Sequence, residues 1–323
     1  MANNSFVYAV ARIRSLEMTL FSESVIEQLL ACKTYENCLS FLAERGWGSS
    51  DTTQDAERML KRESEKTWEV IRDMKVDMSE FDVLSYQHLY HNLKAAVKEI
   101  CTGSVDASIF YEDTGVSKEE MLRIVQEKDF KALPEHMQEA ASEALEVMLQ
   151  TRDGQLCDII VDRAALDAIY KAGKEAKDDM LRSYVETVVA VADIKIAVRA
   201  AKTGKNKLFL NRALSPCDSL SLEKLSQAAL SGVDAVCEYL GGEGYGDAVE
   251  CLKESNSAFE RWCDNRVIYT IQPQKYNSFS VGPLIAYVLA RENEIKTVRM
   301  ILTGKQNDLP EASIRERVRV MYV

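Results

Sequence analysis

Apolar residues recur every three or four positions along most of the 323-residue chain, with polar side chains between them. This spacing places the apolar side chains on one face of a helix. No alternating run between hairpin turns predicts a strand convincingly. Only five prolines occur, none of them in the first 133 residues, and good helix formers such as Ala, Leu, Glu and Lys are common. The pattern therefore predicts an all-α protein.

One helical pattern occurs three times, at intervals of 100 or 101 residues. In each copy a polar residue (Asn92, Asp193 or Glu294) and an apolar residue precede a lysine, and a second basic residue follows one turn later. The apolar stripes are Leu93/Val97/Ile100, Ile194/Val198/Ala201 and Ile295/Val298/Leu302, and the basic edges beside them are Lys94/Lys98, Lys195/Arg199 and Lys296/Arg299. The copies therefore predict three related helices, each with an apolar face and a short basic edge.

The segments that lead to these helices also resemble one another. Ser24 begins the sequence SVIE and Ser117 the sequence SKEE, both of which have the pattern of a capping box at a helix start. Ser221 opens a third segment with a looser match. After the first and third openings the chain reaches a Gly-aromatic-Gly sequence, at residues 46–48 and 244–246. We interpret both glycine clusters as loops after helices.

These recurrences predict three helical modules, at roughly 22–104, 115–206 and 219–306. A helix from Phe6 precedes them, and a short basic amphipathic tail, residues 313–323, follows. The corresponding domains are 1–110 (N-terminal helix and module 1), 111–210 (module 2) and 211–323 (module 3 and the tail). Such modules can follow one another in a row or close around a pseudo-threefold axis, and the sequence leaves both arrangements open.

Charge and hydropathy exclude several classes of function. With 51 acidic and 40 basic side chains the formal charge is −11, which argues against binding nucleic acid through an overall basic field. The N-terminus has no apolar core of a secretory signal. The longest apolar stretches, such as residues 187–198, contain Asp193 and Lys195, so no segment approaches the ~20 apolar residues of a membrane-spanning helix. We expect no transmembrane segment.

Thr-Gly-Lys occurs twice and raises the possibility of a phosphate-binding loop. That loop requires G-x-x-x-x-G-K-[ST] before a helix. Here Arg199 and Arg299 stand in place of the first glycine, and Asn206 and Gln306 replace the hydroxyl residue. Each sequence also follows a helical run, so we interpret it as a helix end with glycine just beyond the last turn. We expect no direct nucleotide binding.

Other catalytic and metal-binding patterns are missing from the sequence. His88 and His91 have a spacing that could hold a metal, but no acidic or cysteine cluster accompanies them. The eight cysteines are scattered and are interpreted as reduced thiols. No nucleophile, base and orienting group stand out together, although spacing alone does not exclude a site assembled in space. We therefore predict no catalytic, cofactor-binding or metal-binding residues.

Nearly end to end, the chain resembles the C subunit of archaeal/vacuolar-type rotary ATPases, whose counterpart in the eukaryotic pump is the d subunit. The first module and the last fifty residues match best, whereas residues 110–180 carry little signal. The matching signatures are YAVARIRSLE (Tyr8 to Glu17), YHNLK (Tyr90 to Lys94), PLIAY (Pro283 to Tyr287), Glu294-Ile295-Lys296, Arg299, ILTGK (Ile301 to Lys305), IRER (Ile314 to Arg317) and the terminal Tyr322-Val323.

The resemblance implies a funnel of three similar subdomains around a pseudo-threefold axis. Such a protein sits between the central axle, made of D- and F-type subunits, and the membrane rotor ring, and it transmits torque without catalysing a reaction. Its location would be cytoplasmic and peripheral to the membrane. The transported ion, proton or sodium, is chosen by other subunits, and the direction, pump or synthase, is not encoded here.

We expect the basic edges to contact the axle or the ring. If three helices surround an axis, Lys94/Lys98, Lys195/Arg199 and Lys296/Arg299 face one annulus and their fields add. The competing interpretation is that these side chains form ordinary ion pairs or solvated faces. At the level of function, the alternative is a cytosolic helical scaffold that binds helical partners through a concave surface.

Overall fold

The computed structural model of the protein describes residues 5–49, 55–103, 109–112 and 114–323. Across these ranges the regular secondary structure is helical and no strand occurs, so the all-α prediction is confirmed. The α-helices are α1 (Ser5–Glu17), α2 (Glu23–Leu30), α3 (Tyr35–Glu44), α4 (Ala56–Asp73), α5 (Asp82–Thr102), α6 (Lys118–Glu127), α7 (Glu135–Thr151), α8 (Gly154–Glu175), α9 (Asp179–Thr203), α10 (Lys207–Ala213), α11 (Leu222–Ser231), α12 (Val233–Gly242), α13 (Gly246–Glu254), α14 (Asn256–Ile271), α15 (Gly282–Gln306) and α16 (Glu311–Arg315).

The helices form two compact units, each made of separate stretches of chain. The first unit comprises Met1–Met78, Lys177–Tyr184 and Tyr245–Val323, and the second comprises Ser79–Ala176 and Val185–Gly244. The bounds 1–110, 111–210 and 211–323 remain a prediction about internal repetition. All three lysines of the repeat, Lys94, Lys195 and Lys296, lie on long helices: α5, α9 and α15.

The first unit is built around α15, which is buried on most of its surface. Pro283 lies in its first turn, where a missing backbone N–H costs no hydrogen bond. Helices α1 to α4, α14 and α16 all contact it. The core between them includes Leu29, Leu42, Val298 and Ile301, each fully buried. Only a narrow edge of α15, which includes Lys296 and Arg299, is exposed, and this agrees with a central position in the unit.

The core of the second unit lies among α5, α6, α7 and α8. Large side chains such as Leu93 and Met137 alternate there with small ones such as Ala96 and Ala141, and all four are fully buried. Alternation of this kind lets neighbouring helices approach closely without leaving cavities.

Two of the three predicted helix openings are confirmed. The Ser117 hydroxyl accepts a hydrogen bond from Glu120 N (3.2 Å) at the start of α6, and the Ser221 hydroxyl accepts from Lys224 N (3.4 Å) at the start of α11. The prediction at Ser24 is wrong, because α2 begins at Glu23 and the N-cap is Ser22, two residues before the predicted cap. Ser24 lies inside the first turn, where its hydroxyl cannot cap the helix.

The glycine ends of the repeated helices differ. Gly103 and Gly204 follow α5 and α9 with φ of +73° and +64°, as expected of a glycine that ends a helix. The same prediction is wrong for Gly304, which lies inside α15, two residues before its end. A Cβ at this position would lie 2.6 Å from Ile314 Cγ1. Residue 304 therefore has no room for a side chain, because the C-terminal segment packs closely against α15 at this point.

The predicted apolar stripes are buried, except at one end. Leu93, Ile194 and Val298 are buried, whereas Ile100 is 37% exposed near the end of α5. The stripe drifts around the helix as it continues, so its last member reaches the edge of the buried face.

Candidate functional site

The three long helices α5, α9 and α15 carry a fully buried polar residue at the same place, two residues before the repeated lysine. On α5 this residue is Asn92. Its amide nitrogen donates to Tyr111 O (2.7 Å) and Thr114 Oγ1 (3.2 Å), and its carbonyl oxygen accepts from Tyr111 N (2.8 Å). Asn92 thereby holds the segment that leads into α6.

On α9 the equivalent residue is Asp193. Its Oδ1 accepts from Ser215 N (3.0 Å), whereas Oδ2 is buried and has no hydrogen-bond partner. Burial raises the pKa of Asp193 to about 7, although Arg163 and the Ser215 N–H both favour the charged form. Asp193 thereby holds the segment that leads into α11.

On α15 the equivalent residue is Glu294. Its Oε2 accepts from Phe21 N (2.6 Å), the residue before the N-cap of α2. Its Oε1 accepts from Arg291, which also donates to Glu63 Oε2 (2.5 Å). Burial raises the pKa of Glu294 to about 7 against the opposing effect of Arg291. Glu294 thereby holds the segment that leads into the first predicted module.

The contacts of Asn92, Asp193 and Glu294 follow one rule. Each side chain accepts a backbone N–H from the segment before the next predicted module, and for Glu294 that is the first predicted module. The sequence pattern had shown that these polar residues recur, but it gave no sign of their partners. Backbone N–H groups that are buried at a helix junction require an acceptor, and these side chains supply it.

Around Glu294 the first unit contains a buried charge network. Glu63 accepts from Gly48 N (2.9 Å) and Lys66 Nζ (2.7 Å) through Oε1, and from Arg291 through Oε2. The Arg291 guanidinium lies 5.2 Å from the ring centroid of Trp47. The two carboxylates of this network are paired with groups of the protein itself. We therefore interpret the network as part of the fold and not as a binding site.

In the second unit, the basic edges of α5 and α9 contribute to one cleft. The cleft has a volume of about 740 Å³ and is formed by α5, α8, α9 and α10. Lys94, Lys195 and Arg199 line it. Lys94 Nζ lies 2.7 Å from Asp162 Oδ1, and Lys98 Nζ lies 2.5 Å from Asp158 Oδ1, and both carboxylates also line the cleft. Its wall is therefore of mixed charge.

The third basic edge, Lys296 and Arg299, lies in the first unit. Both residues line a smaller cleft of about 340 Å³ between α15 and the C-terminal segment. Arg299 pairs with Glu57, and both side chains of that pair are exposed. Three of the six predicted partner-binding residues thus line the cleft of the second unit, Lys98 pairs with a carboxylate that lines it, and Lys296 and Arg299 line a cleft of the first unit.

The other candidate residues have structural contacts. Lys205 Nζ donates to Gln155 Oε1 (3.1 Å), and Lys305 Nζ donates to the carbonyls of Leu30 and Cys32 (2.7 Å each). The His88 ring stacks on Tyr111 at 3.8 Å, and His91 Nε2 lies 3.1 Å from Ile109 O. Among the described residues, no three His, Cys, Asp or Glu side chains group as a metal site, and no helix is both long and apolar enough to span a membrane.

The two ends of the chain meet in the first unit. Arg14 donates to Glu17 (2.7 Å) and to Gln274 O (2.6 Å), and the Tyr322 hydroxyl donates to Glu17 Oε1 (3.3 Å). The N-terminal signature and the terminal Tyr322 therefore meet through the Glu17 carboxylate.

Comparison with known proteins gives matches over nearly the whole chain. A sequence model of the family described as ATP synthase (C/AC39) subunit matches residues 9–317. The C subunit of the V-type sodium ATPase of Enterococcus hirae is 20% identical over 317 residues, covering 96% of this chain and 97% of the relative. The C subunit of the A-type ATP synthase of Methanocaldococcus jannaschii is 22% identical over 349 residues, covering 96% and 85%. The C subunit of the V-type ATP synthase of Thermus thermophilus is 23% identical over 339 residues, covering 98% of each chain.

Proposed function

The chain belongs to the ATP synthase (C/AC39) subunit family, and on that premise we propose that it couples the central axle of a rotary ATPase to the membrane rotor ring. Its relatives are C subunits of V- and A-type complexes, so this chain is a component of such a complex rather than the catalytic one. In this role the protein turns with the rotor, and ATP hydrolysis or synthesis is linked to proton or sodium transport through it.

The observation that carries the proposal is the repeated junction at Asn92, Asp193 and Glu294. A row of modules leaves the last long helix without a following module to hold. Here Glu294 on the last long helix accepts the N–H of Phe21, at the start of the first module (2.6 Å). We infer that the three modules follow one another cyclically around a pseudo-threefold axis, as in a funnel that receives an axle.

A non-catalytic role is part of the proposal. The lysines of both Thr-Gly-Lys sequences are engaged with the protein itself, Lys205 with Gln155 and Lys305 with two backbone carbonyls. A phosphate-binding lysine must instead be free to reach its ligand. These contacts support the proposal of a non-catalytic protein.

We assign the partner contacts to the basic edges. Lys195 and Arg199 line a cleft that also holds Asp158 and Asp162, and Lys296 lines a second cleft. Carboxylates on D- and F-type axle subunits, or on the loops of the ring, would find cations on both surfaces. The chain would then be cytoplasmic and peripheral to the membrane, held there by the complex.

A co-purification experiment tests the proposed function. The tagged chain is expressed with the axle and ring proteins of its own complex and is then captured. We expect the axle and the ring to be recovered together. Recovery of neither partner in an otherwise assembled complex would contradict the coupling role. A matched tag on an axle protein provides the control for loss of the complex during capture.

A further inference from the structure

The cleft beside α15 is a strongly basic concavity, although the protein carries a net charge of −11. One wall is the α15 stripe with Lys296, Arg299 and Thr303, and the other is the C-terminal segment with Ser313, Arg317 and Arg319. These four cations and two hydroxyls line a volume of about 340 Å³, and none of the residues that line it is acidic.

The wall formed by the C-terminal segment is held in place by several contacts. Val320 N donates to Asn265 Oδ1 (2.9 Å), and Asn293 donates to Val320 O (3.0 Å). Arg261 donates to Glu316 O (2.6 Å), and Ile314 packs against Gly304. Because these bonds are made within the chain itself, the cleft is preorganised and an occupant would not have to order it.

The four cations differ in their counterions. Arg299 pairs with Glu57, and Arg319 Nε lies 2.7 Å from Asp264 Oδ2. Lys296 and Arg317 are exposed, and their side chains have no ion-pair partner among the described residues. The cleft therefore carries about two uncompensated positive charges, and its other polar side chains are hydroxyls that can donate.

We propose that this cleft binds a small anion of the phosphate class. A phosphate group offers three acceptor oxygens and a charge of about −1.5 to −2 near neutral pH, which matches two uncompensated cations and two hydroxyl donors. A single carboxylate offers one charge and two oxygens, so it leaves one cation unpaired. The volume suits a compact ligand and is too small for a helix. This binding activity does not depend on the coupling role.

Titration calorimetry with inorganic phosphate on the intact chain tests the proposal. We expect saturable binding to one site, which Lys296→Gln combined with Arg317→Gln weakens by about ten-fold or more through the loss of charge-assisted hydrogen bonds. Lys296→Arg should retain binding, because the charge and the donors remain. The affinity should also rise between about pH 6 and 8 as phosphate becomes a dianion, since Lys and Arg stay charged.

The matched control is Lys253→Gln combined with Arg212→Gln, an exposed lysine and arginine outside the cleft. This variant removes the same charge and should bind phosphate like the original protein. Three outcomes would overturn the proposal: no saturable binding by the original chain, equal weakening in both double variants, or equally tight binding of acetate. Circular dichroism of each variant establishes that it is folded, and the co-purification experiment remains an independent test of the coupling role.

Discussion

Asp193 and Asn92 occupy equivalent positions on α9 and α5 and make the same kind of bond to the next segment, but only one of them can ionise. The folded-state pKa of Asp193, about 7, lies above its ordinary value of 3.8 because the group is buried. The unfolded chain therefore loses this proton first as the pH rises. The contribution of Asp193 to the free energy of unfolding is highest below about pH 4 and falls as the pH rises to about 7.

Asp193→Asn should therefore flatten the pH dependence of stability. The neutral amide keeps an acceptor for Ser215 N and removes the cost of a buried charge, so the variant should gain about 1–4 kcal/mol relative to the original protein at about pH 8 compared with about pH 5. Urea unfolding at both values measures this difference. The reciprocal change, Asn92→Asp, should steepen the same dependence. If the free energy of unfolding depended on pH equally in the original protein and in Asp193→Asn, the raised pKa of Asp193 would be contradicted.

Gly304 and Gly241 are both helical glycines with opposite expected responses to alanine. A Cβ at Gly304 meets Ile314 at 2.6 Å, whereas a Cβ at Gly241 meets nothing within 4 Å. Gly304→Ala should destabilise the protein by about 1–3 kcal/mol through overpacking. Gly241→Ala should stabilise it by about 0.5–1 kcal/mol through backbone entropy. Thermal unfolding compares the two, and a stabilised Gly304→Ala would show that the C-terminal segment does not pack there.

At the scale of elements, α15 is joined to its neighbours by one buried and one exposed arginine pair. Arg291 is 7% exposed and links Glu63 on α4 with Glu294. Arg299, two turns later, pairs with Glu57 on the same helix α4, but both partners are exposed. The two arginines therefore offer a comparison of a buried and an exposed ion pair between the same two helices.

Arg291→Met should destabilise the protein by about 3–5 kcal/mol, because it leaves two buried carboxylates without their shared cation. Arg299→Met should cost less than about 1 kcal/mol, since an exposed pair is screened by water. Chemical denaturation of the two variants measures the contrast. Similar losses in both would mean that the Arg291 network is solvated or that its carboxylates carry a proton.

At the scale of the whole molecule, the basic edges are tested together. Lys94→Glu, Lys195→Glu and Lys296→Glu combined should leave the chain folded by circular dichroism and weaken its binding to the axle or the ring. Binding should also fall as salt rises, because exposed charges are screened over ~8–10 Å. The control combines Lys131→Glu, Lys224→Glu and Lys253→Glu, which changes the net charge equally at exposed positions outside both clefts. Unchanged affinity for both partners in the folded test variant would assign these lysines to solvated faces.

The isolated chain should neither hydrolyse ATP nor bind it tightly through its Thr-Gly-Lys sequences. Lys205 and Lys305 are occupied by intramolecular hydrogen bonds, so neither is available to a nucleotide. Calorimetry with ATP and a phosphate-release assay check this. Micromolar ATP affinity that is lost in Lys205→Gln or Lys305→Gln would refute the interpretation of these sequences as structural.

Apolar periodicity by itself determined the helical class, and the recurrence of one pattern placed its lysines on three long helices. These features are local, because helix spacing and capping depend on residues within a few turns. The starts of α6 and α11 and the end of α9 were predicted for the same reason. The start of α2 was predicted two residues away from its observed place, since a capping pattern at Ser24 competes with an alternative N-cap at Ser22.

Tertiary structure alone decided what the recurring polar residues do. Nothing near Glu294 in the sequence indicates Phe21, and nothing near Gly304 indicates Ile314, because these contacts depend on how distant helices pack. The same is true of the basic edges: their spacing predicted a short basic edge beside each apolar stripe, whereas packing decided that Lys195 lines a cleft with Asp162 and that Lys296 lines one beside the C-terminal segment. Periodicity specifies which face of a helix is buried, but the identity of the partner on that face is a property of the folded chain.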